Sequence, residues 1–197
     1  MKTVVGVVFA KVNATTSDAA LARDYPGCTH GLVVSTLEYN AKLGEFSSQY
    51  AAEWLKANGH SVVSNIDVVS GYYNTLALAA YREAKGGDYA LFFDAQTGVA
   101  AQHAAAAGTP SDASAWYIPS YKEMKLMYDS MAKVNAAINA AAGDPLSAQT
   151  PYSMSTFKES GKYGDYFEYG FDMGIGGWST YMNVKTTEYP VRVVLAF

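Results

Sequence analysis

Two β-branched runs bracket this chain and limit its fold more than any other feature. TVVGVVFA occupies residues 3–10, and PVRVVLAF closes the chain at residues 190–197. Both are of strand length, and neither alternates apolar with polar residues. A run of that kind suits a strand covered on both faces, so the last one is expected centrally in a sheet. The first is read as a strand over residues 4–9. Lys2 before a short apolar stretch also imitates an export signal, but the stretch is short and Lys11 interrupts it. Any export signal or upstream domain would then lie outside this sequence. GLVVST at residues 31–36 supplies a second β-branched strand.

Between the runs the period changes to that of helices. Residues 46–58 place Tyr50, Ala51, Trp54 and Leu55 on one face, and Gly59 stops the pattern. Residues 74–85 form a second helix closed by Gly86 and Gly87, and residues 99–107 an Ala-rich third ending at Gly108. The strongest local signal is WYIPSYKEMKLMYDSM. Ser120 and Glu123 have the spacing of a capping box, in which each side chain satisfies an orphan N–H of the helix start. Met124, Met127, Tyr128 and Met131 continue an apolar stripe that belongs in a core, and a further helical piece ends at Gly143. The order of strands, helices, then strands points to an α+β fold with small antiparallel sheets, helices and long irregular loops. A single domain over residues 1–197 is expected.

After Pro145 the helix formers give way to Tyr, Gly, Ser, Phe and Asp. In YFEYGFDM, Phe167, Tyr169 and Phe171 alternate with Tyr166, Glu168, Gly170 and Asp172, which is strand periodicity. The chain holds 16 Tyr against 8 Phe and 3 Trp. With 14 basic and 18 acidic residues the net charge is −4, leaving no basic field for a phosphate backbone. No nucleic-acid partner is expected, and no stretch is long enough for insertion into a membrane. Cys28 is the only cysteine, so an intramolecular disulfide or a cysteine-cluster metal site is excluded.

GVVF near the start, HGLVVS at residues 30–35, NTLAL after Gly71, WYIPSYKEMKLMY, VNAAI and the closing VRVVLAF occur in an order that resembles one family. It is the bacterial C-type-lectin-like domains related to the C-terminal domain of the Legionella collagen-like adhesin, frequent in gut Bacteroidetes. The resemblance spans nearly the whole chain. It implies a C-type-lectin-like fold, a small antiparallel sheet closed by the two terminal strands, and a ligand surface built from the late loops. YSMSTF at residues 152–157 departs from the family's YWSSTE, with Ser153 for Trp and Phe157 for Glu. That departure, with the Tyr/Ser/Asp/Gly/Phe palette of residues 152–183, resembles the variable proteins of diversity-generating retroelements, found in these bacteria and their phages. Ordinary drift in a loop-rich segment is the alternative.

The expected function is therefore non-catalytic recognition, adhesion or receptor binding, at a cell surface or outside the cell, or on a phage tail. The partner would be a protein or glycan. Tyr offers a large, stiff amphipathic contact, and Ser and Gly adaptable polar ones, as in antibody loops. The candidate ligand-binding residues are Ser153, Phe157, Tyr163, Tyr166, Glu168, Asp172, Trp178, Thr180, Tyr181 and Asn183. No cofactor, metal or catalytic residue is expected. The sugar-binding tripeptides Glu-Pro-Asn and Trp-Asn-Asp are absent, and His30, His60 and His103 lack zinc-ligand spacing. Two alternatives are a hydrolase-like or other enzyme with a His-containing cleft and a structural module of a surface assembly.

Overall fold

The computed structural model describes residues 4–45, 48–60, 65–157, 170–179, 182 and 186–197. In chain order these form β1 (Gly6–Ala10), α1 (Ala19–Asp24), β2 (Leu32–Ser35), β3 (Tyr39–Ala41), α2 (Ser48–Ala57), α3 (Gly71–Lys85), α4 (Val99–Ala107), α5 (Tyr121–Asp129), α6 (Met131–Ala140), β4 (Tyr152–Ser153), β5 (Gly170–Asp172), β6 (Gly177–Ser179), β7 (Tyr189–Val191) and β8 (Val194–Ala196). The class is α+β.

The strands make two small sheets. One has the order β1-β2-β8 and is antiparallel throughout; the other has the order β3-β7-β4-β5-β6, with β4 and β7 parallel. Strands β2 and β8 of the first sheet are covered on both faces. Val33 and Leu195 turn toward a core built with Leu55, Leu78, Tyr81 and Trp116. Their neighbours Leu32, Val34, Val194 and Ala196 turn toward a second core with Leu21, Met124, Met127 and Ile138. Helices α2 and α4 feed the first core, α1, α5 and α6 the second, and α3 both, which is why the C-terminal run shows no apolar–polar alternation; on the edge strand β1, Val8 is 48% exposed.

The C-terminal run is not the single central strand expected of it. It divides at Arg192 and Val193, giving β7 to the five-stranded sheet and β8 to the three-stranded one. Arg192 is fully buried at this crossing. The outer edge of β8 is bridged by Tyr117, whose N–H donates to Val194 O at 2.8 Å and whose O accepts from Val194 N–H at 2.9 Å. The two terminal strands flank β2, and Phe197 O accepts from the N–H groups of His30 and Gly31.

The capping box at Ser120 is formed, and Glu123 Oε2 accepts from both the Ser120 N–H and its hydroxyl at 2.7 Å. Helix α3 starts three residues ahead of the expected Asn74. Its first turn is capped from far away: buried Asp18 accepts the N–H of Tyr73 with one oxygen and that of Leu21, in α1, with the other. Helix α2 buries Ala51 and Leu55 as expected, but Tyr50 is 65% exposed.

Gly71 opens α3 where no side chain fits. A Cβ there would stand 2.3 Å from Glu123 Oε2 and 2.9 Å from the backbone oxygen of Ile118. Ala is ordinarily the better helix former, yet Gly71→Ala is expected to destabilise by about 1–3 kcal/mol through overpacking. The urea midpoint reads this directly, and an unchanged or higher midpoint would refute it.

Candidate functional site

The late aromatic segment is described through the β5–β6 hairpin. β4, β5 and β6 pair antiparallel, with Tyr152 opposite Phe171 and Phe171 opposite Trp178. The turn is tied by Asp172: its Oδ1 accepts the Gly174 N–H at 2.7 Å and its backbone oxygen the Gly176 N–H at 2.8 Å. Gly176 sits at φ +67, and a Cβ on it would lie 2.4 Å from the Tyr128 ring. A positive φ and a ring in close approach both require glycine there.

Beneath the hairpin lies one face of α5. Trp178 packs on Tyr121 with ring centroids 4.8 Å apart and planes tilted by 30°, and Tyr121 meets Phe171 edge-on at 5.2 Å. Lys125 Nζ stands 5.0 Å over the Tyr128 ring and forms an ion pair with Asp129. Tyr121 and Tyr128 hold the hairpin from below, and Lys125, between them at helical spacing, sits over the Tyr128 ring. Phe171 is fully buried, Trp178 and Asp172 are half-buried, and Ile175 at the turn is 70% exposed. The hairpin thus carries its aromatic residue on a braced platform with an apolar tip in solvent. Sequence reasoning missed Tyr121 and Tyr128, although their spacing with Lys125 was there to be read.

Two expected contact residues are corrected by burial. Ser153 is 2% exposed and Phe157 3% exposed. β4 lies between β7 and β5, so Ser153 sits inside the sheet, and Phe157 joins the first core. All six residues of YSMSTF are buried because the segment anchors α5: Ser155 N–H donates to Pro119 O at 2.8 Å, and Thr156 Oγ1 accepts the N–H of Tyr121 at 2.9 Å. Tyr163, Tyr166, Glu168, Thr180, Tyr181 and Asn183 lie outside the described residues, as do Phe167 and Tyr169.

The histidines are dispersed. His103 is fully buried, its Nδ1 3.0 Å from the Tyr39 hydroxyl and its ring edge-on to Trp116 at 4.3 Å. Burial lowers its pKa to about 4, so it is neutral at pH 7. His30 stacks on Phe197 and His60 on Trp54. Cys28 is buried, which raises its thiol pKa. Among the described residues no three His, Cys, Asp or Glu side chains gather to hold a metal. No helix among them is long and apolar enough to cross a membrane.

No family model matches the chain, and no curated protein matches it. A crystal structure of a fimbrial protein from Bacteroides ovatus is similar over 98% of this chain, with a TM-score of 0.71 and 19% identity. The match covers 44% of that protein, so this chain spans less than half its length. At this identity the likeness is one of fold.

Proposed function

We propose that this chain is a non-catalytic recognition module of a bacterial surface structure, with ligand contacts centred on the β5–β6 hairpin. One observation carries the reading: nearly the whole chain has the fold of a part of a fimbrial protein. A module of a filament or its associated adhesins works by contact, and the braced hairpin offers such a contact. Trp178 is half-buried on Tyr121 and Ile175 projects at the turn. Aromatic residues fixed by packing lose little side-chain entropy on binding, which favours affinity.

The finer reading is a C-type-lectin-like domain spanning the chain, its ligand a protein or glycan. If residues 152–183 belong to a diversified segment, the burial of Ser153 and Phe157 assigns residues 152–157 to the scaffold, with variation after them. A reverse transcriptase gene beside a near-copy of this gene's 3′ end, differing mainly at adenines, would support diversification; its absence would remove it.

Binding of the chain to a glycan array and to immobilised matrix proteins tests the module. For any ligand so identified, Trp178→Ala and Tyr181→Ala are expected to weaken binding at least tenfold, about 1.4 kcal/mol, with the far-UV spectrum retained. Unchanged affinity in both variants would place the contact surface elsewhere.

A further inference from the structure

A cleft of ≈400 Å³ opens between α3 and α4, away from the hairpin. It exists because both helical walls carry alanines, Ala79 on one side and Ala101 and Ala104 on the other, so neither helix fills the gap. Its floor includes the rings of Phe92, Phe93 and Trp116, all buried in the first core. The volume falls in the range of sites for small organic molecules, about 300–1,000 Å³, which are mainly apolar with a few polar groups fixing orientation.

Among the described residues lining the cleft, Asp94 is the one that carries a charge. Its Oδ1 accepts the N–H groups of Gln96 and Thr97 at 3.0 and 2.9 Å, which fixes the carboxylate. These bonds to the charged form also keep it ionised. Its Oδ2 is ion-paired with Arg82 Nε at 3.4 Å, a separation long for a hydrogen bond that leaves acceptor capacity on the oxygen. Arg82 and Glu83 line an adjoining outer hollow and not the cleft itself. A ligand entering the cleft therefore meets aromatic rings, small apolar side chains, Thr75 and Thr109, and one carboxylate that Arg82 already pairs. Aromatic faces attract cations, apolar walls accept a ring, and an anion would be repelled by the carboxylate.

We propose that the α3–α4 cleft binds a small aromatic amine, its ring over the Phe92–Phe93–Trp116 floor and its ammonium group at Asp94. This site shares no residue with the hairpin, so its fate is independent of the recognition role above.

Tryptamine, indole and indole-3-acetate carry one ring with three different charges. Titrating each into the ¹⁵N-labelled chain and following amide shifts is the test. Tryptamine is expected to bind saturably, at least tenfold tighter than indole-3-acetate, with shifts confined to α3, α4 and residues 91–97 and 109–117. Ala101→Phe should plug the cleft and abolish the shifts. Asp94→Asn keeps an oxygen for the Gln96 and Thr97 N–H groups, and should reduce tryptamine to the affinity of neutral indole. Saturable binding of none of the three, equal binding of indole-3-acetate, or full tryptamine affinity in Asp94→Asn would each overturn the proposal. Should Ala101→Phe not fold, Asp94→Asn and the three-probe ranking still decide it.

Discussion

Arg192→Met is expected to cost about 3–5 kcal/mol of folding free energy. The guanidinium is fully buried where the chain leaves one sheet for the other, and it donates to three acceptors, two in residues 35–38 and one at Asp144. These are the backbone oxygen of Ser35 at 3.3 Å, Glu38 Oε2 at 3.2 Å and the backbone oxygen of Asp144. Glu38 Oε2 also accepts the Tyr152 hydroxyl at 2.6 Å, which ties β4 into the same cluster. Met fills the volume but takes the Arg192 donors away from the buried Ser35 carbonyl, the part-buried Asp144 carbonyl and the Glu38 carboxylate. Glu38→Gln should cost less, about 1 kcal/mol, because the Glu38 side chain is 24% exposed and an amide oxygen still accepts from Tyr152. Arg192→Lys should fall between, since one ammonium lacks the planar fork that reaches three directions. Urea unfolding of the three variants gives the ranking; Arg192→Met within 1 kcal/mol of the parent chain would show that the crossing is held by packing instead.

That arginine also marks where the sequence stopped being legible. In PVRVVLAF it reads as a polar interruption of one strand, and only a partner 154 residues away gives it a reason to be buried. The elements that were read correctly have local causes: the β-branched strands β1 and β2, the Gly stops of α2, α3 and α4, and the Ser120–Glu123 box. The start of α3 was missed because its cap, Asp18, comes from 55 residues upstream. The site was half legible for a similar reason. Tyr, Ser and Phe serve cores and contact surfaces alike. Tyr152 and Ser153 went inside because β4 is flanked by β5 and β7, and Phe157 because it packs into the first core, whereas Trp178, on the terminal strand of the same sheet, stayed half-buried. Pairing order decides burial there, and composition carries no record of pairing order.

Glu123 should make the fold less stable as pH rises from about 4.5 to about 7. The carboxyl is fully buried beside Gly71 and Tyr117. Burial raises its pKa from the ordinary 4.5 to about 7, against the opposing pull of the Ser120 donors and of the Tyr117 hydroxyl 2.7 Å from Oε1. The folded chain then holds a proton that the unfolded chain releases between those two values. Its stabilising share is complete below pH 4.5, declines through the window and is gone above pH 7, a change of roughly 3 kcal/mol. Asp18 is also raised by burial and adds the same sign, so the parent profile alone does not isolate Glu123. Glu123→Gln does. The amide can turn its oxygen to Ser120 and its NH₂ to the Tyr117 oxygen, which keeps the site bonded without a titrating group. The stability difference between parent and variant, from urea unfolding at pH 4.5 and pH 8, should shift by roughly 3 kcal/mol in favour of the variant at the higher pH. Glu123→Ala, which leaves the Ser120 N–H, its hydroxyl and Tyr117 without an acceptor, should lose about 3 kcal/mol or more near pH 5. A parent-to-Gln difference that stays flat across the window would mean that the three donors outweigh burial and that Glu123 is ionised inside the fold.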